Sequence, residues 1–357
     1  MRGTSLWESP AARPTRGRVD HVIIIDGSLS TLAEGRETNA GQLYKLLCEV
    51  APQRNISLWY EQGIQFPTWA HLRDIIEGRG INRQIRRVYG FIASRYRPGD
   101  RIFLFGYSRG AYAVRSLAGV IERVGLVRPD YATVRHILIA YRHYERGGDS
   151  PIAQKFRRLY CHDETEIEMI GVWDTVKALG IRLPFLSHLT ETKHRFHTHT
   201  LGPHIRHAFH ALALDETRKA FAPVLWDTTQ GHPGQVEQMW FRGSHGDVGG
   251  QLSGYTRARP LANIPFTWMV EKAEHCGLSL PTDWRQRFPC DARAPSVGNW
   301  RSWGPIFLSR AHRTIGMDPS ERIHSSVPLT HPALDLSKGR FDTGALHSAA
   351  GGITQSD

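Results

Sequence analysis

Cysteine is scarce in this chain: Cys48, Cys161, Cys276 and Cys290 are scattered through 357 residues with no C-x-x-C spacing. That pattern excludes a zinc ribbon or finger and argues against a disulfide-stapled secreted module. No apolar run approaches the roughly 20 residues that a membrane-spanning helix needs. Residues 1–18 hold arginine and proline but no apolar centre, so they do not read as a cleavable secretory signal. A disordered leader is expected there. The protein is expected to be cytoplasmic in the producing cell, or exported by a route that needs no cleaved signal. Acidic residues are also in short supply, 34 against 45 lysines and arginines, for a net charge of +11. Such a balance suits an anionic surface, although a basic exterior also serves plain solubility. No Lys/Arg block or RNA-binding signature accompanies the charge, so nucleic acid is not an expected partner. Gly246 to Gly250 is not followed by Lys-Ser/Thr, which excludes a phosphate-cradling P-loop.

What the chain does have is one Gly-x-Ser-x-Gly. The apolar run Ile102-Phe-Leu-Phe105 stops at Gly106-Tyr-Ser-Arg-Gly110, and Ala111, Val114, Leu117, Ala118 and Ile121 follow at helical spacing. Strand, G-x-S-x-G, helix is the nucleophile elbow of α/β-hydrolases. The turn must raise the Ser108 hydroxyl above the strand ends, and side chains at positions 106 and 110 would collide with strand and helix. The amide of Arg109, at the start of the helix, is a candidate oxyanion donor. A plain strand-to-helix turn with a capping serine is the competing reading.

The rest of the chain alternates strands with helices. Val22-Ile-Ile-Ile25 reads as a buried parallel strand ending in Asp26-Gly27-Ser28, a turn able to carry a second oxyanion amide. Thr38-Asn39 caps a helix with Leu43, Leu46 and Leu47 on its apolar face. Ile56 to Tyr60 is a strand, and Ile81, Ile85, Val88 and Ile92 mark a helix. Tyr131 to Tyr144 is expected to be helical, Ile167 to Trp173 a strand, Ile205 to Glu216 a helix, and Met239 to Phe241 the last strand. Asn263 to His275 closes the pattern as a helix. The expected fold class is α/β, α/β-hydrolase-like, with a mostly parallel central sheet, helices on both faces and a small cap. The catalytic domain is expected over residues 19–280, with 177–204 as a cap insertion and 281–357 as an irregular C-terminal extension packed on it.

A serine hydrolase needs a hydroxyl, an imidazole and a carboxylate, here in chain order Ser, acid, His, each after a strand. Asp174 follows one apolar strand and His245 the next convincing one, amid glycines that let the backbone turn sharply. Asp26, Asp215 and Asp247 remain rivals for the acid, Asp247 being better suited to ordering its own loop. His194, His197, His199, His204, His207 and His210 form a histidine-rich stretch. Its spacing matches no H-E-x-x-H or H-x-x-E-H arrangement, so no metal and no cofactor are expected.

Several blocks together resemble a family of bacterial and fungal α/β-hydrolase domains, long classed as uncharacterised, that includes type VI secretion phospholipase effectors. They are Gly80-Ile-Asn-Arg-Gln-Ile-Arg-Arg-Val-Tyr89, the elbow through Arg115-Ser-Leu-Ala-Gly119, and Gly171-Val-Trp-Asp-Thr-Val176. His210-Ala-Leu-Ala-Leu-Asp-Glu216 with Arg218 and Phe221, and Trp240-Phe-Arg-Gly-Ser-His-Gly-Asp-Val-Gly-Gly250, complete the set. The resemblance implies a Ser-Asp-His triad whose motif positions fall on Ser108, Asp174 and His245. Members usually carry Asp-Gly-Thr-Trp-Asn after the first strand; here it is Asp26-Gly-Ser-Leu-Ser30, which keeps the Asp-Gly. The function expected is serine ester hydrolysis through an acyl-enzyme, on a lipid or phospholipid acyl ester. Ser108, Asp174 and His245 would be catalytic, Arg109, Gly27 and Ser28 would form the oxyanion hole, and Gly106, Gly110, Asp26 and Asp247 would support them. Peripheral contact with an anionic membrane and a secretion-system or immunity partner are expected with it. The alternative is a catalytically silent hydrolase-fold protein acting as a binding module.

Overall fold

A computed structural model describes residues 16–63, 79–176, 201–301 and 308–334. Most of the expected leader and of the expected cap therefore lies outside the described residues. In chain order the first elements are β1 (Asp20–Ile25), α1 (Asn39–Val50), β2 (Ile56–Glu61) and α2 (Arg79–Ala93). Then come β3 (Arg101–Tyr107), α3 (Arg109–Val124), α4 (Val134–Glu145), α5 (Pro151–Tyr160) and β4 (Ile167–Trp173). The remainder is β5 (Ile205–Ala213), β6 (Gln235–Phe241), the short α6 (His245–Gly249), α7 (Arg259–His275) and β7 (Glu321–Ile323).

The strands form one sheet in the order β2-β1-β3-β4-β5-β6-β7, and every neighbouring pair is parallel. Successive side chains of a strand point to opposite faces, and here both faces are covered. Ile23 and Ile25 of β1, with Ile102 and Leu104 of β3, pack under α2, α3 and α4. Val22 and Ile24, with Phe103 and Phe105, pack under α1 and α7 on the other side. This is why β1 and β3 read as unbroken apolar runs. α1 opens on Thr38, whose hydroxyl accepts the Gly41 N–H. Asn39 ties that helix to the far end of the fold, its Nδ2 donating to Val248 O and Ala262 O.

Two strands depart from expectation. Ile205 to Glu216 is not a helix: residues 205–213 form β5, paired with β4 on one side and β6 on the other. Its run of alanine and leucine favours helices locally. In a central strand buried on both faces, however, that same continuous apolar run is what the tertiary structure demands. Met239–Phe241 is also not the last strand. β7 adds to β6 from the stretch read as irregular, pairing Glu321 with Gln238 and Ile323 with Trp240. Three residues are too few to show a period. The strand is fixed instead by Glu321, which accepts the indole N–H of Trp240 at 2.7 Å and the main-chain N–H groups of Gly316, Met317 and Asp318.

Candidate active site

β3 ends one residue before Ser108, and α3 begins one residue after it. Ser108 has φ 57° and ψ −119°, backbone that a side chain with a Cβ resists at a cost of about 1–3 kcal/mol. The flanking glycines make this turn sterically possible. A Cβ on Gly106 would stand 2.7 Å from Cα and N of Ala111, and one on Gly110 2.1 Å from the Ile25 carbonyl oxygen. The elbow is thus wedged between its own helix and the end of β1.

Sheet register brings the acid to the serine. Tyr107 is opposite Trp173 in the β3–β4 pair, so the next residues, Ser108 and Asp174, emerge side by side. Ser108 N–H donates to Trp173 O at 3.0 Å, and Asp174 N–H to Ala211 O at 2.8 Å. Asp174 also holds a positive φ, 41°. β6 then runs into α6, whose first residue is His245. Its Nδ1 lies 2.6 Å from Asp174 Oδ2 and its Nε2 2.9 Å from Ser108 Oγ. All three side chains are buried.

The electrostatics give this contact a direction. Burial alone would raise the Asp174 carboxyl, but the charge of Arg313 and bonds from His245 and Arg313 outweigh it and hold the group well below the usual carboxylate range. An ionised carboxylate only accepts, so the imidazole proton sits on Nδ1 and Nε2 is left to accept from the serine hydroxyl. That is the tautomer a general base needs. The ring is flanked by Tyr107 and Phe221, with centroids 4.9 and 4.8 Å away. Its main-chain N–H donates to Glu216 Oε2 at 3.1 Å, and Glu216 is in turn held by a two-pronged bond from Arg218.

The other expected residues fall around this centre in different ways. Arg109 is the first residue of α3, so its N–H lies at the positive end of that helix; burial draws its guanidinium down to about 10. The Gly27 N–H, read as an oxyanion donor, donates here to Asp26 Oδ1 at 2.6 Å. A carboxylate one residue back captures the amide, which the sequence pattern does not reveal. Ser28 is anchored by Gln251, whose Nε2 donates to its carbonyl at 2.9 Å, and its buried hydroxyl meets no partner among the described residues.

Each rival acid is engaged elsewhere. Asp26 also accepts from Thr38 and Tyr60 hydroxyls, and Asp215 from the Gly243 N–H. Asp247 closes a capping box with Ser244 and accepts from Ser296 and the Val297 N–H, which orders the turn around His245. Of the histidine-rich stretch, His194, His197 and His199 lie outside the described residues. His207 and His210 sit on β5, and the fully buried His210 accepts the Thr175 N–H through Nε2.

Sequence reasoning missed Arg313. Its Nη1 and Nη2 donate to the two oxygens of Asp174 at 2.5 and 2.8 Å. Nothing local signals it: the residue lies in a stretch without periodicity and 139 positions from its partner. Glu216 was visible as part of a block, but its hold on the His245 main chain was not.

The family model for the catalytic domain of T6SS Tle1-like phospholipase effectors matches residues 20–272. An uncharacterized protein of Saccharomyces cerevisiae is 27% identical over 239 residues, which cover 60% of this chain and 33% of that protein. The chain therefore corresponds to about a third of that relative's length. Among solved structures, an uncharacterized protein from Pseudomonas aeruginosa superposes with a TM-score of 0.43 at 15% identity, over 78% of this chain and 52% of the other. A Tle1 effector bound to the VgrG spike of a type 6 secretion system gives 0.37 at 20% identity, over 70% and 55%.

Proposed function

The chain belongs to the family of T6SS Tle1-like phospholipase effector catalytic domains, and from that premise we propose that it is a serine ester hydrolase acting on a phospholipid acyl ester. One observation carries the reading: the continuous relay from Ser108 Oγ through His245 to Asp174, at 2.9 and 2.6 Å, on an elbow already held in strained backbone. In the proposed cycle Ser108 Oγ attacks the acyl carbonyl carbon as His245 Nε2 takes its proton. The tetrahedral oxyanion is held by the amide of Arg109 and a second donor from the loop at Ser28. His245 returns the proton to the departing lysophospholipid oxygen as the C–O bond breaks, leaving Ser108 acylated. Water, deprotonated by the same imidazole, then releases the fatty acid and restores the serine. Asp174 keeps the imidazole in its working tautomer throughout.

The +11 net charge favours approach to anionic headgroups. Family membership favours a component of a type VI secretion apparatus as the protein partner, a route of export that needs no cleavable signal. The test is release of fatty acid and lysophospholipid from mixed phosphatidylglycerol–phosphatidylethanolamine vesicles, followed by mass spectrometry. Ser108→Ala with an unchanged circular dichroism spectrum is expected to lose at least about 10³-fold in rate. Full release by that folded variant would remove Ser108 from the chemistry.

A further inference from the structure

Arg313 lies beyond the residues matched by the family model, yet it touches the acid of the relay directly. Its guanidinium is buried, with 4% of the side chain exposed, against a carboxylate that is fully covered. Besides its two bonds to Asp174, it donates through Nη1 to Ala213 O at 2.8 Å and through Nη2 to Phe221 O at 2.6 Å. Four bonds from one side chain therefore join the end of β5, the loop bearing Phe221 and the acid. The segment that carries it is docked on that same loop: Lys219 N–H donates to Ser309 O at 3.0 Å and Ala311 N–H to Thr217 O at 2.8 Å. Phe221 in turn packs on the His245 ring.

We propose that Arg313 is a positioning residue of the active site, which fixes the Asp174 carboxylate for His245. The inference rests on the reading of Ser108, His245 and Asp174 as a triad. A carboxylate stripped of water is costly to ionise, and a planar two-pronged cation is the side chain best matched to offset that cost. The other charged and titratable groups at this corner are Glu216 on the His245 main chain, Arg218 on Glu216, Tyr107 beside the ring, and His210 behind Asp174 through Thr175. They remain in place in all the variants below.

The test compares wild type with Arg313→Met, Arg313→Gln and Arg313→Lys in the full chain. Hydrolysis of a soluble short-chain ester gives kcat and KM separately, alongside thermal melting. A second readout needs no turnover: the downfield proton resonance of the His245–Asp174 bond. Removing the charge is expected to lower kcat by about 10²-fold with little change in KM. It should also weaken or abolish the downfield resonance, because the carboxylate that accepts the imidazole N–H is no longer held in place. Arg313→Lys should restore the resonance but only part of the rate, since it keeps the charge and loses the fork. Should Arg313→Met fail to fold, Arg313→Gln supplies an uncharged comparison that keeps a polar amide at the position. Activity that falls only in step with melting, with the resonance unchanged, would overturn the proposal. A wild type that cleaves no ester would sink the hydrolase reading instead, and the resonance would still decide the role of Arg313.

Discussion

Ser108 and Asp174 both hold a positive φ, 57° and 41°, without being glycine. Strain of this kind persists only where the surroundings over-determine it. For Ser108 those surroundings are Gly106 and Gly110; for Asp174 they are the Ala211 carbonyl, the Ala213 N–H and the fork of Arg313. Asp26 makes a different residue-scale case. It is buried, and although Tyr60, Thr38 and Gly27 donate to it, burial wins and pushes the carboxyl from 3.8 up to about 6. A carboxyl raised on folding stabilises fully below its ordinary value, and that contribution is lost as pH rises through the folded value. Between about pH 4 and 6 the wild type should therefore lose about 2 kcal/mol that Asp26→Asn does not lose. Urea midpoints measured across that range check it: the variant's curve should be the flatter one, and parallel curves would count against a buried, titrating Asp26.

At the scale of elements, the elbow is the most exposed to small changes. Gly110 sits where β1 and α3 touch, and a methyl there would drive into the Ile25 carbonyl. Gly110→Ala is expected to cost about 1–3 kcal/mol through overpacking. It should also displace Ser108, so that ester hydrolysis falls further than the loss of folded protein explains; equal losses in both would place the glycine in the core alone. Elements were legible where their own residues decided them. Val22–Ile25, Ile102–Phe105 and Ile167–Trp173 are short runs, mostly β-branched or aromatic, of the kind a doubly covered parallel strand uses. β5 was not legible, because alanine and leucine buried on every side look alike in helix and central strand. α6 read as a glycine loop until the Ser244–Asp247 capping box shortened it into a turn of helix.

For the molecule as a whole, the site is assembled from residues far apart in sequence at the C-terminal ends of the interior strands β3, β4 and β6. Ser108 and Asp174 were readable because each directly follows a strong strand, and His245 because glycines surround it. Arg313 and the captured Gly27 amide were not, since both depend on side chains meeting across the fold. The excess of positive charge also acts at this scale. Binding to vesicles rich in phosphatidylglycerol should exceed binding to neutral vesicles at low ionic strength. It should vanish near about 1 M salt, where the screening length falls to about 3 Å; salt-insensitive sedimentation would deny the charge that role.

Labelling by a fluorophosphonate, read by intact mass on wild type and Ser108→Ala, tests the relay directly. One adduct is expected on the wild-type chain and none on the variant, because only a serine activated by His245 beside a formed oxyanion site reacts. A folded wild type that takes no label would contradict it, and the relay of Ser108, His245 and Asp174 would then belong to a protein that binds and does not turn over.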